Sequence, residues 1–344
     1  MEKKVDNIDK QNLRQIIIDS PKQIKDGLKL AEGININGNF NSLMISGMGG
    51  SSLPANILRI YLNDLYVRNP EKNKRFGIFQ NRSYSLPPEA YENCLNFFSS
   101  YSGNTEETIL SFKEAVKNNL PSVGFASGGK ILEMCQENSI PCVVIPSGIQ
   151  PRYAIGYSFA AMFQVLSNMG MVENKAEELI GLSRKLEKTM LALEEKGREL
   201  AGKLVGKIPV IYSSAKFKSL AMIWKIKINE NAKIPSFYNF YPELNHNEMI
   251  GYTLPQGKFH VITLLDKNDH PQNIKRMEIT AEMLKEKGIG TTIIEIENDN
   301  IFNTIFSTLL LGDWVSYYLA LAYNQDPTPV EMVEDLKKRL EQSA

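Results

Sequence analysis

Short apolar runs alternate with segments of helical period through two long tracts of the chain. In the first tract, strand-like runs at 43–46, 76–79, 94–99, 122–126 and 142–145 are separated by helical patterns such as 53–62 and 106–116. That alternation predicts a mostly parallel sheet with crossover helices. It restarts at 209–213 and continues with a helix over 217–229, a strand at 259–265, a helix over 274–287 and a strand at 291–296. The element order of the second tract echoes the first, as an internal duplication would produce. Before the first tract lies a helical lead-in (10–31), and between the tracts lie helical patterns at 155–168 and 173–204. The second of these is charged on its outer face through Lys185, Glu187, Lys188, Glu194, Glu195 and Lys196, which predicts a solvated face. Two further helices, 301–323 and 329–340, close the chain, separated by Asp326-Pro-Thr-Pro329. The expected organisation is α/β: a lead-in over 1–40, a first doubly wound domain over 41–152, connecting helices over 153–205 and a second domain over 206–344.

Charge narrows the partners. The 39 basic and 39 acidic residues cancel and are interspersed, so the chain lacks the basic field that a nucleic-acid binder uses. Cys94, Cys135 and Cys142 have neither zinc-ligand spacing nor a disulfide framework; two of them lie in or beside strand-like runs and are expected to be core thiols, and the expected compartment is reducing. No apolar run is expected to approach the roughly 18 residues needed to span a membrane. The polar start, Met1-Glu-Lys-Lys-Val-Asp6, has no apolar h-region after it, so a leader sequence is not expected. The expected location is cytoplasmic.

Two loops carry candidate chemistry. Ser100-Tyr-Ser-Gly-Asn-Thr105 follows an apolar run and precedes a helix. Its three hydroxyls, its turn-forming Gly103 and the unpaired N–H groups of the following helix suit a phosphate. By itself the pattern is equally that of an ordinary N-cap turn. A second glycine-rich turn, Ser46-Gly-Met-Gly-Gly-Ser-Ser52, occupies the same kind of strand-to-helix position. In a doubly wound sheet both loops fall at the carboxyl edge, where ligands bind. No Gly-x-x-x-x-Gly-Lys-Ser/Thr is present, and Gly47-x-Gly49-Gly50 lacks the third glycine of the dinucleotide fingerprint, so a small phosphorylated ligand fits better than a nucleotide.

Five segments in this order carry a family resemblance: Gly47-Met-Gly-Gly-Ser51, Ser100-Tyr-Ser-Gly-Asn-Thr105, Pro151-Arg-Tyr-Ala154, Pro242-Glu-Leu-Asn-His-Asn-Glu248 and Asp326-Pro-Thr-Pro-Val330. From about residue 40 onward the chain resembles the bifunctional phosphoglucose/phosphomannose isomerases, proteins built from two sugar isomerase (SIS) domains. The resemblance implies a metal-independent, cofactor-free interconversion of fructose 6-phosphate with glucose 6-phosphate and mannose 6-phosphate through a cis-enediol. It matches Gly49, Gly50, Ser51, Ser100, Ser102 and Thr105 to the phosphate grip, and Arg152 to the group that stabilises the enediolate oxygen. The family's base lies sixteen residues before the motif histidine, which selects Glu230; without the family, Glu243 and Glu248 would be preferred because they flank His246. His246 corresponds to the ring-opening histidine, which the family supplies from the partner subunit, so a homodimer is implied. Lys337, preferred over Lys338, corresponds to a C-terminal lysine used in ring opening. Thr328 corresponds to a threonine that leaves room for rotation about C2–C3. His260 and His270 are expected to be structural or solvated. Two alternatives stay open: an SIS isomerase for an amino-sugar phosphate, and a non-catalytic sugar-phosphate sensor.

Overall fold

The computed structural model describes residues 7–68, 71 and 75–343; residues 1–6 of the expected lead-in lie outside the described residues. The chain forms two compact units, residues 19–187 and residues 1–18 with 188–344.

Five fully parallel strands make the sheet of the 19–187 unit: β1 (Ser42–Ser46), β2 (Gly77–Asn81), β3 (Cys94–Ser99), β4 (Ser122–Ala126) and β5 (Cys142–Val144), in the order β2-β1-β3-β4-β5. The three inner strands, SLMIS, CLNFFS and SVGFA, are buried along their whole length. Such continuous burial is the signature of a parallel sheet covered on both faces. Leu43 sits between Ile78 of β2 and Leu95 of β3 in register. The core around β3 includes Met44, Phe98, Phe112 and Ile131, with the Phe98 and Phe112 rings stacked at 4.6 Å. Burial of each such side chain contributes about 1.5–3 kcal/mol.

Helices α2 (Lys22–Leu30), α3 (Gly49–Arg68), α4 (Glu106–Lys117), α5 (Gly129–Glu137) and α6 (Ile155–Asn168) complete this unit. The expected continuous lead-in helix is broken: α1 (Leu13–Asp19) stops and α2 starts after Ser20-Pro21, because Pro21 has no N–H to bond back into the preceding turn. α3 begins at Gly49, four residues before the expected start, so Gly49, Gly50 and Ser51 form its first turn.

Helix α7 (Ala176–Leu204) carries the chain across the boundary between Glu187 and Lys188. The second sheet is also parallel: β6 (Ile208–Ser214), β7 (Phe237–Tyr241), β8 (Phe259–Leu265) and β9 (Gly290–Glu295), in the order β7-β6-β8-β9. It repeats the order of the first four strands of the other sheet. β7, an aromatic run, and α5 were not distinguished by the sequence pattern. Helices α8 (Lys218–Lys227), α9 (Pro271–Glu286), α10 (Ile301–Ala322) and α11 (Glu331–Ser343) follow in this unit.

Two sequence expectations are corrected here. Helix α10 is long and apolar enough by length and composition to cross a membrane, contrary to the expected absence of such a run. Its most apolar window is 83% buried inside the fold, and Asn303, Asp313 and Ser316 on it are hydrogen-bonded or ion-paired, as in a core helix. Glu194 does not belong to a solvated stripe: it is 3% exposed and takes a two-pronged ion pair from Arg14 at 2.7 and 2.9 Å, with the Tyr318 hydroxyl donating at 2.6 Å. Asp9 works alongside it, accepting from the Leu13 and Arg14 amides and from Tyr317. These contacts fasten the start of the chain to α7 and α10.

His260 lies buried in β8, its Nε2 2.9 Å from Thr292 Oγ1 and its Nδ1 3.4 Å from Lys207 Nζ. Burial, then the Lys207 charge, lowers its pKa to about 4. The imidazole is therefore neutral in the folded protein, whereas the unfolded chain takes up a proton near pH 6.5. Stability is expected to fall as pH drops from about 6.5 to 4, by an amount of order 2–3 kcal/mol from this group. Urea unfolding at pH 7 and pH 4.5 checks this: His260→Gln should lose clearly less stability between the two pH values than the parent.

Candidate functional site

In the 19–187 unit the strand order reverses between β1 and β3, the position at which doubly wound sheets bind ligands. The loops leaving these two strands are the two singled out in the sequence. After β1 the chain enters α3 through Gly49, whose φ of +50° suits glycine. First-turn amides have no acceptor within their own helix, and the helix dipole places partial positive charge there. At Gly50 a Cβ would lie 2.6 Å from the amide nitrogen of Arg152 and 2.7 Å from the Pro151 carbonyl carbon. Only glycine lets the two backbones meet, and the contact places Arg152 beside the first turn of α3.

The loop after β3 is braced from several sides. The Tyr101 amide donates to Ser51 Oγ at 2.9 Å, joining the two loops directly. Ser127 donates to the Tyr101 carbonyl through both its amide and its hydroxyl, and the Tyr101 hydroxyl donates to the Pro146 carbonyl. Gly103, at φ +73°, faces the Gly128 carbonyl so closely that a Cβ would fall 1.8 Å from its oxygen. The three hydroxyls are not equivalent. Ser100 is fully buried, sits 2.9 Å from Thr105 Oγ1 and accepts from the Thr105 amide, so it holds the turn together. Ser102 is exposed and accepts from the Asn104 amide, leaving its own proton to donate outward. Thr105 occupies the N-cap position of α4 in extended conformation.

Arg152 lies in the short turn Pro151–Tyr153 and is 1% exposed, unlike the surface arginine that a helix start usually carries. Its guanidinium approaches Gln150 Oε1 at 3.4 Å and sits 5.5 Å from the Tyr153 ring centroid. The structure thus assembles Gly49, Gly50, Ser51, Ser100, Ser102, Thr105 and Arg152 in one unit: neutral donors at two loops, with the backbone of the buried Arg152 against the first of them. Such a set suits an oxyanion with a second, charge-developing oxygen nearby.

Glu230, His246, Thr328 and Lys337 lie in the other unit. Glu230 is half-buried in a π-helical turn, Ile228–Ala232, that continues α8 and closes at Lys233 in the left-handed conformation, φ 60°. Turns of this kind concentrate at functional sites because the extra residue re-aims a side chain. Two contacts with α10 hold it: the buried pair Lys227–Asp313 at 2.5 Å and the Asn231 amide on Ser316 at 2.8 Å. Neither Lys227 nor Asp313 stood out in the sequence: Lys227 is one of three lysines on α8, whereas Asp313 is the lone charge in the apolar helix α10, and that isolation was the available signal.

The rival carboxylates are otherwise engaged. Glu248 accepts from the Tyr212 hydroxyl and from Asn239, and Glu243 accepts from Asn247 at an exposed turn. Burial pushes the Tyr212 phenol well above its usual range and that of Tyr252 up to about 12, so both stay protonated as donors. His246 ends the turn Glu243–His246 and is exposed. Thr328 is buried at 1% exposure, its amide donating to Asp326 at 3.0 Å. Lys337 stands on the exposed helix α11 and pairs with Glu334 at 2.8 Å; its contacts do not join it to the other candidates. His270 caps α9, its ring accepting from the Gln272 amide. Among the described residues, no three His, Cys, Asp or Glu side chains cluster as a metal site.

Comparison with known proteins places the chain in a family. The family model described as the bacterial phospho-glucose isomerase C-terminal SIS domain matches residues 193–340. A bifunctional phosphoglucose/phosphomannose isomerase from Caldicellulosiruptor bescii is 34% identical over 334 residues, covering 93% of this chain and 96% of the relative. One of the same description from Aquifex aeolicus is 32% identical, covering 89% and 92%. Among solved structures, a hypothetical protein from Thermus thermophilus superposes with a TM-score of 0.71 at 15% identity, covering 95% of this chain and 89% of that one, a likeness of fold. The chain therefore belongs to the bifunctional phosphoglucose/phosphomannose isomerases, a family of enzymes that isomerise sugar phosphates.

Proposed function

We propose that the protein interconverts fructose 6-phosphate with glucose 6-phosphate and mannose 6-phosphate by proton transfer between C1 and C2 through a cis-enediol. The observation that carries this reading is the joining of two donor loops to a buried arginine: Ser51 bonded to Tyr101, and Gly50 against the Arg152 backbone. The loops Gly49–Ser51 and Ser100–Thr105 grip the 6-phosphate, so binding energy made far from the reacting carbons positions them. Glu230 removes the proton from one carbon and returns it to the other. Arg152 stabilises the enediolate oxygen while negative charge resides there. Thr328 leaves room for rotation about C2–C3, so that one base serves both epimers. No metal takes part in this scheme.

Ring opening falls to His246 and Lys337. The exposure of His246 fits a histidine that completes the site of a second subunit in a homodimer. Helix α11 presents Met332, Leu336 and Leu340 on successive turns at 89%, 57% and 55% exposure, an apolar stripe suited to packing once Lys337 is brought to the sugar.

Purified protein given fructose 6-phosphate in excess EDTA should form both glucose 6-phosphate and mannose 6-phosphate, quantified separately. Glucose 6-phosphate alone would remove the case for Thr328, and turnover only of glucosamine 6-phosphate would replace this substrate assignment with an amino-sugar phosphate. Glu230→Gln should lower kcat by about 10²–10⁴-fold with the circular dichroism spectrum unchanged. Full turnover in that folded variant would make another group the base.

Subunit exchange tests the origin of His246. Glu230→Gln and His246→Ala, each nearly inactive with cyclic substrate, should recover about one quarter of parental activity after equal mixing and refolding, since half the dimers carry one intact site. Recovery no greater than the sum of the two variants would place His246 in its own chain's site.

A further inference from the structure

A cavity of about 400 Å³ opens beside the edge strand β2 of the 19–187 unit, large enough for a small metabolite. None of its lining residues belongs to the substrate loops. Arg59 enters it from the middle of α3 and Arg82 from the segment just after β2, while Met44, Phe79 and Pro87 supply an apolar wall.

The two arginines are the informative part. A guanidinium carries five N–H donors and is normally matched by a carboxylate when it leaves water. Arg59 is half-buried, yet its side-chain hydrogen bond among the described residues is a single one, from Nη2 to the Ile78 carbonyl at 3.3 Å. Among the described residues no carboxylate forms an ion pair with Arg59 or Arg82. Glu89 lines the same cavity but stays beyond ion-pair distance of both. Burial, and after it the Arg82 charge, draws Arg59 below the usual arginine pKa, so the two cations are felt by each other across the cavity. With Glu89 beyond ion-pair distance, the two like charges face one cavity without a close counter-ion, and an anion bridging both would reverse the sign of that interaction.

We infer that this cavity is a second anion site, which takes a small hydroxylated organic phosphate. Two guanidiniums match the double charge and three oxygens of a phosphate monoester in forked geometry. The remaining volume admits a short carbon chain against Met44, Phe79 and Pro87. Glu89 can accept from a hydroxyl of the ligand. Gln80 forms part of the wall while its side-chain amide donates to the Ser52 carbonyl at 3.2 Å, so the cavity adjoins the first turn of the helix that begins at Gly49. The inference stands apart from the isomerase reading, since it uses none of that site's residues.

Residue-resolved arginine labelling separates the two sites. The full-length protein is treated with phenylglyoxal, with and without 3-phosphoglycerate, and the rates at Arg59, Arg82 and Arg152 are read from peptides by mass spectrometry. Labelling of Arg59 and Arg82 should slow at least about fivefold, with glycerate, which has the carboxylate but no phosphate, giving little protection. In Arg82→Gln, a change at an exposed residue, calorimetry should show 3-phosphoglycerate binding at the cavity weakened by about tenfold or more, while protection of Arg152 is kept. Unchanged rates at Arg59 and Arg82 beside a protected Arg152 would place phosphate at the substrate loops alone and overturn the inference. Equal protection by glycerate would also overturn it, by making the ligand a carboxylate.

Discussion

The reversal of strand order between β1 and β3 is the constraint on which the 19–187 unit depends. Right-handed crossovers from a strand flanked on both sides must run to opposite faces of the sheet, and the loops at the carboxyl ends of β1 and β3 then diverge around a crevice. The inner strands can be buried along their whole length because their backbone groups are paired in the ladder, and the one amide side chain within them, Asn96, donates to the Ala90 carbonyl. Gly50 and Gly103 close the arrangement. Each removes a side chain at a point where two backbones would otherwise collide, and so the donor loops, Arg152 and the Gly128 turn become one rigid piece.

In the other unit the corresponding constraint is a buried ion pair. Lys227 and Asp313 are almost fully removed from water, which costs each of them hydration, and their short contact together with the Asn231–Ser316 bond offsets that cost. The same contacts tie the π turn bearing Glu230 to α10. A charge pair in this place contributes less to stability than apolar residues could, but it fixes the register of two helices next to the turn that bears Glu230. The Arg14–Glu194–Tyr318 cluster has a similar effect at the start of the chain, since it joins an N-terminal helix to elements far along the sequence.

Much of this was legible in the amino-acid order. The strand runs of both sheets, β7 excepted, follow from apolar patterning between turn residues. The loops 46–52 and 100–105 follow from glycine and hydroxyl residues set between a strand and a helix, because the fold offers such sequences few other places. The family motif added Glu230, which composition alone would have passed over in favour of Glu243 and Glu248. Their engagement with Asn247, Tyr212 and Asn239 became visible only in three dimensions.

The sequence by itself determined most of the strand segments, the glycine- and hydroxyl-rich turns at their ends and most of the helical stretches, because propensity and periodicity act between residues within a few positions of one another. The tertiary structure alone decided that Glu194 is buried, that α10 is a core helix despite its membrane-spanning length, and that the helix around Glu230 widens into a π turn. Each depends on partners remote along the chain: Arg14 lies 180 residues from Glu194, Asp9 lies 308 from Tyr317, and Asn231 lies 85 from Ser316. Desolvation and charge pairing are set by what the fold brings near, and no local window of sequence contains that information.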